Sequence, residues 1–193
     1  MNSKERVMCA VYLEVPDRIP MDFNANDGTL QRLYRDLNTN SHMELLKKLN
    51  IDILDIRGVV DPVYRGPVPK ISYLADGAKQ NFWGMQTRVM DTATGHEECY
   101  CDFILKDIDS TEDMEKHLWP KSDWFDFSNM EEMLKPWKDF CIMASGASIF
   151  QHPTFLRGFE DLLVDMMCNE EIADYLMDKF TNFYIDFHAY LLC

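Results

Sequence analysis

The chain has 193 residues, an apolar fraction of 47% and an aromatic fraction of 12%, enough for a packed core and too much for a disordered segment. Its net charge is −14, with acids spread along the chain, which repels phosphate backbones and excludes nucleic acid or an anionic membrane surface as the expected partner. No secretory leader pattern and no apolar run of roughly 18 residues for a membrane span is present, so the chain is expected to be cytoplasmic, with its six cysteines as reduced, mostly buried thiols.

In chain order, Asn2-Ser-Lys-Glu5 forms a capping box that opens a helix through Val7, Met8 and Val11. Pro16 ends it, and Arg18–Phe23 reads as a short strand with Asp22 near its end. Asn24–Gly28 is a polar loop. Leu30, Leu33, Tyr34 and Leu37 then mark a second helix by their i, i+3, i+4, i+7 spacing. Ser41-x-x-Glu44 is a second capping box, placing Met43, Leu46 and Leu49 on one helical face. Ile51–Arg57 reads as a second strand, and a long loop rich in Pro and Gly follows from Gly58 to Pro69.

Residues 80–90 and 96–104 predict a β-hairpin about Asp91–Gly95. Ser110 and Ser128 each begin a short helix. Phe140–Ala144 is an apolar run of strand length closed by Ser145-Gly146-Ala147. The last third is helical, from Phe159 through Leu191. This order of helices and strands points to parallel βα units. About three parallel strands are visible where a closed (β/α)₈ barrel needs eight. The last helix carries no Gly, Asn or Pro stop signal. The expectation is therefore an α/β chain of the (β/α)₈ TIM-barrel class, an incomplete barrel with an inserted hairpin.

In such a barrel the C-terminal strand ends build the active site. That rule selects Asp22 and Asn24, with Asn26 beyond them, after the first strand, and Asp55 and Arg57 after the second. It selects Ser145 and Gly146 after the third, with His152 just before Pro153 as the best-placed histidine for proton transfer. Asp55 and Arg57 have an equally good structural role as an ion pair, and the Gly146 turn as a tight strand-to-helix connection. His42, His117 and His188 fall inside helical patterns and read as surface or core-edge residues. His96, Cys99 and Cys101 are spaced unlike a common zinc site, and two thiols on one face of a strand account for them, so no metal ligand is assigned.

Four stretches together resemble the uroporphyrinogen decarboxylase superfamily. They are Ser3–Val7 with Val15–Pro20; Asp102–Asp107 with Thr111–Glu115 and Trp119-Pro120; Phe155–Glu160; and Asn169–Asp174. The resemblance implies residues 1–193 form the N-terminal portion of a single barrel domain of well over 300 residues. Tetrapyrrole decarboxylases of the superfamily carry paired arginines after the first strand, whereas Asp22–Gln31 has none. Their functional tyrosine falls here at Thr154, beside Phe155, and their substrate-binding aspartate corresponds to Asp55 or Asp61. The other branch comprises zinc-dependent methyltransferases that serve a corrinoid protein, with ligands H-x-C and a later Cys in the C-terminal half. No H-x-C occurs in this chain.

The resemblance thus implies a methyltransferase-type protein, inactive as this portion. Zinc is then a cofactor of the longer family members, the corrinoid is borne by a partner, and Asp22, Asn24, Asp55, Arg57, Gly146 and His152 are substrate-binding. A corrinoid protein or a tetrapyrrole-like small molecule is the implied partner, with a second barrel half or another copy to cover open strand edges. The alternatives are uroporphyrinogen decarboxylation and a non-catalytic, partner-binding remnant.

Overall fold

The computed structural model describes residues 1–92, 95–144 and 146–192. Its first elements are α1 (Ser3–Val11), α2 (Asp27–Asp36), α3 (His42–Lys48), β1 (Ile53–Asp55) and β2 (Val63–Tyr64). There follow β3 (Ile71–Tyr73), β4 (Lys79–Asn81), β5 (Gln86–Thr92), β6 (Gly95–Cys101), α4 (Thr111–Met114) and β7 (Phe125–Asp126). The chain continues through α5 (Met130–Leu134), β8 (Cys141–Met143), α6 (Gln151–Arg157), α7 (Phe159–Cys168) and α8 (Glu170–Leu192). It divides into two compact units, Met1–Asp61 with Ser128–Ser145, and Pro62–Phe127 with Gly146–Cys193.

The first unit begins as its sequence directs. Asn2 Oδ1 accepts from the Glu5 N–H at 2.8 Å while Glu5 Oε2 accepts from the Asn2 N–H at 2.9 Å, closing the capping box of α1. At α3 the box is offset by one residue. Ser41 Oγ caps the Glu44 N–H, but the Glu44 carboxylate takes the N–H of Asn40 instead of Ser41. β1 pairs in parallel with β8, in the register Ile53 with Cys141 and Asp55 with Met143. Beneath them Leu46, Ile51, Leu54 and Phe140 form a small core.

The centre of this unit is ionic. Asp52 is fully buried and receives Arg6 at 2.6 Å, Arg18 at 2.6 and 2.9 Å, the Ser3 hydroxyl at 2.9 Å and the Met21 N–H at 3.0 Å. Arg6 also forks onto Asp17 at 2.6 and 2.8 Å. Burial acts against the Asp52 carboxylate, yet the Met21 N–H, Arg18, Ser3 and Arg6 outweigh it and hold its pKa below the usual range. The hydrogen bond from Arg6 holds Asp17 well below that range too.

The same network changes the expected first strand. Met21 spends its carbonyl on the N–H groups of both Asp52 and Ile53 and gives its own N–H to the Asp52 side chain. Residues 18–23 therefore lie beside β1 without forming a ladder, and Pro16 and Pro20 remove two further donors.

The second unit is built on apolar packing. β3, β4, β5 and β6 form an antiparallel sheet in that order, extending the expected hairpin by two strands. The middle of the hairpin turn lies outside the described residues. β2 and β7 pair within the segment expected to be loop and its return. Ile172, Leu176, Phe180 and Phe183 run down one face of α8 and meet Trp83, Met85, Leu105, Met114, Leu156 and Leu162. Trp83 stacks on Phe180 with centroids 4.4 Å apart.

The barrel expectation is overturned. Among the described residues one pair of strands is parallel, and the sheets hold two, two and four strands. The segment expected to supply the first barrel strand makes no ladder, and residues 71–101 bond among themselves in antiparallel register, which a (β/α)₈ wall does not contain. The fold is mixed α and β with small sheets.

Candidate functional site

β1 and β8 end together, and the chain beyond Asp55 turns at once into a short helical turn, Ile56–Gly58. The loop before α2 and the start of α3 complete a cleft of about 350 Å³ in the first unit. Its wall includes Asp22, Phe23 and Asn24 from that loop, Leu30 from α2, and His42 and Leu46 from α3. Ile53, Leu54, Asp55, Arg57 and Met143 supply the strand-end side. The volume lies within the usual range of a small-ligand pocket, about 300–1,000 Å³, and the composition is similar, apolar with a few convergent polar groups.

Four residues expected at the site meet here. Asp22 keeps one carboxylate oxygen on the Phe23 N–H at 2.7 Å. Asn24 lies two residues before Asn26, whose side chain accepts the Thr29 N–H at 2.9 Å and caps α2. Asn26 thus has a structural role. Asp55 and Arg57 form the ion pair that their spacing allowed. The Arg57 guanidinium reaches the Asp55 carboxylate at 2.5, 3.1 and 3.2 Å, and the Arg57 N–H adds a bond of 3.0 Å.

The remaining two belong to the second unit. Gly146 takes a positive φ of 106°, and α6 starts only at Gln151, so the glycine does not open the helix. Ser145, named with it, lies outside the described residues. His152 sits in α6 with Nδ1 2.5 Å from the Tyr184 hydroxyl of α8 and its ring among Phe155, Phe180 and Tyr184. Of the other cysteine-bearing elements, β6 holds Cys99 opposite Arg88 and Cys101 opposite Gln86. Both thiols are half-buried, and burial pushes the Cys101 thiol up. His96 Nδ1 lies 2.5 Å from Asp91.

No protein-family model, curated protein or solved structure matches this chain.

The sequence pattern missed His42. A helical stripe tells which residues share a face, not which face looks onto a cavity. His42 is the first residue of α3, its Nδ1 is 3.3 Å from the Tyr34 hydroxyl of α2, and its ring approaches Phe23 and Trp137. Burial pushes its imidazole pKa down from the ordinary value, favouring the neutral ring. A proximity signal was present: Tyr34 and His42 flank a short helix-to-helix connection, which brings their side chains together.

Several of the stretches quoted for the resemblance, Ser3–Val7, Val15–Pro20, Asp102–Asp107 and Phe155–Glu160, supply residues to two buried ion knots. Ser3, Arg6 and Arg18 bond Asp52, and Asp17 holds the other side of Arg6. In the second unit Arg157 is buried, forks onto Asp165 at 2.7 and 3.1 Å and donates to the carbonyls of Leu105, Lys106 and Ile108 at 2.7–2.8 Å. Phe155–Glu160 is thereby tied to Asp102–Asp107. These residues hold backbone in place, so the motif-bearing positions are legible as fold-makers.

Among the described residues no helix is long and apolar enough to cross a membrane.

Proposed function

We propose that this chain is a cytoplasmic protein of the uroporphyrinogen decarboxylase superfamily, nearer its corrinoid methyltransferase branch. Its first unit supplies the small-molecule side of that chemistry. The observation that carries the reading is the cleft itself, because Asp22, Asn24, Asp55 and Arg57 converge at the carboxyl ends of the parallel strands. In open parallel sheets that edge is where ligands bind.

Zinc does not fit the described residues. H-x-C is absent from the sequence, and among the described residues no three His, Cys, Asp or Glu side chains gather at metal-binding range. No step is therefore assigned to zinc in this chain. On this reading the corrinoid is borne by a partner protein. Charge weighs against a polycarboxylate substrate. Among the described residues the cleft wall carries two carboxylates and one guanidinium, and the guanidinium is already paired.

The test is a chemical-shift titration of the chain with small methyl carriers, anisole and N-methylbenzylamine, beside an incubation with uroporphyrinogen. The reading expects shifts at Asn24, Leu30, His42 and Leu46 and no coproporphyrinogen. Decarboxylation of uroporphyrinogen, or titrations that leave those four residues unmoved, contradicts it.

A further inference from the structure

The cleft wall also states what kind of ligand suits it. Phe23, Leu30, Leu46, Ile53, Leu54 and Met143 make an apolar floor. Against this floor stand acceptors: the Asp22 carboxylate, which is exposed, and the His42 imidazole. Arg57, the only cationic side chain among the described residues of the wall, is held on Asp55. An anion entering here meets more carboxylate than cation, and an uncharged apolar molecule leaves the acceptors unpaired.

The His42–Tyr34 contact engages Nδ1 and leaves Nε2 as the other ring nitrogen. In the tautomer whose Nδ1–H donates to the Tyr34 oxygen, Nε2 keeps its lone pair for a ligand. Resting on the reading of the cleft as the ligand site, we infer that it takes a small organic ammonium compound with an apolar body. Its N–H group is accepted by His42 Nε2, and its charge is opposed by Asp22. Tyr34 is a positioning residue for the imidazole and does not touch the ligand.

Binding then depends on pH through His42, whose burial favours the neutral ring. The titratable and charged groups that face it are Tyr34 from α2, Asp22 from the loop before α2, and the Asp55–Arg57 pair after β1. The segment after α5 presents the Trp137 indole. Protonation of His42 removes the acceptor and places a cation beside the ammonium group, so affinity falls as pH drops through the His42 titration.

The probes are benzylamine, benzyl alcohol and benzoate, which share one body and carry three different charges. Methyl and amide shift titrations of the full chain read their affinities at Leu30, Leu46 and Met143. Benzylamine is expected to bind at least about tenfold more tightly than benzoate at neutral pH. His42→Leu weakens benzylamine about fivefold or more and removes the pH dependence, the cost of losing one hydrogen bond to a charged group. His42→Gln recovers most of the affinity through its amide oxygen, without the pH dependence. Tyr34→Phe leaves the fold in place but shifts the His42 titration seen in ring ¹⁵N signals. Equal binding of benzoate, or unchanged benzylamine affinity in His42→Leu, overturns the ammonium proposal and leaves the cleft a ligand site. Titrations in which none of the three probes moves those residues overturn both.

Discussion

The two units solve the same problem with opposite means. The second packs a large aromatic and aliphatic core and uses one buried ion knot, Arg157 with Asp165, to pin three carbonyls. The first has a small apolar core and gathers its N-terminal segments around a single buried carboxylate, Asp52. It is this charge-organised unit that carries the cleft. Hydrogen bonds to Asp52 fix the loop beside β1, and the residues that follow, Asp22, Phe23 and Asn24, supply one side of the cleft wall.

The sharpest break in that comparison comes from the ion knots. Arg157→Met strands Asp165 and three carbonyls in a buried setting and should cost about 3–5 kcal/mol in urea unfolding, the usual range for breaking a buried pair. Asp52→Ala removes the acceptor shared by Arg6, Arg18, Ser3 and the Met21 N–H but leaves Arg6 on Asp17. It should cost about 3 kcal/mol, and its effect should appear in the first unit, as faster hydrogen exchange at Leu46 and Leu54. Equal loss of protection at Leu176 and Phe180 would sink the separation of the two networks.

Core truncation ranks next. Phe180→Ala removes the ring stacked on Trp83 and should cost about 3–5 kcal/mol, against about 2–5 kcal/mol for Leu46→Ala. Acid sharpens the contrast from another side. Asp52 and Asp17 have folded pKa values below those of an unfolded carboxylate. The stability they lend is complete above the unfolded value of about 4 and is lost as pH falls through the lower folded values. Exchange protection of the first unit should therefore fall before that of α8 during acid titration. The smallest expected change is Asn26→Ala, which removes the cap of α2 at about 1 kcal/mol by thermal melting.

Local signals were legible from the sequence, and long-range ones were not. Asn2, Ser41 and Ser110 cap helices as their spacing implies, and the apolar stripe of α8 faces the core. Capping and periodicity involve residues within a turn or two, so the chain states them directly. Arg6 and Asp52 meet across 46 positions, and nothing local marks Asp52 as the residue that two arginines seek. That unseen meeting removed the strand expected at residues 18–23 and, with the antiparallel sheet of 71–101, the barrel built upon it.

The strand-end rule led to Asp55 and Arg57, which follow β1 and line the cleft; Asp22 and Asn24 line it too, although the strand expected before them does not form. It also selected Gly146 and His152, which belong to the other unit, because the chain leaves the first unit just after β8. His42 escaped because a helical pattern does not reveal which face lines a cavity.

The central claim is that ligand recognition and fold-making are carried by different residues of the first unit. Binding of N-methylbenzylamine to the double variant Asp22→Asn, Asn24→Ala tests it most directly. Both side chains are exposed and outside the Asp52 network. The account predicts melting within about 0.5 kcal/mol of wild type, together with loss of the ligand-induced shifts at Leu30 and Leu46. Wild-type shifts in a folded double variant would contradict it.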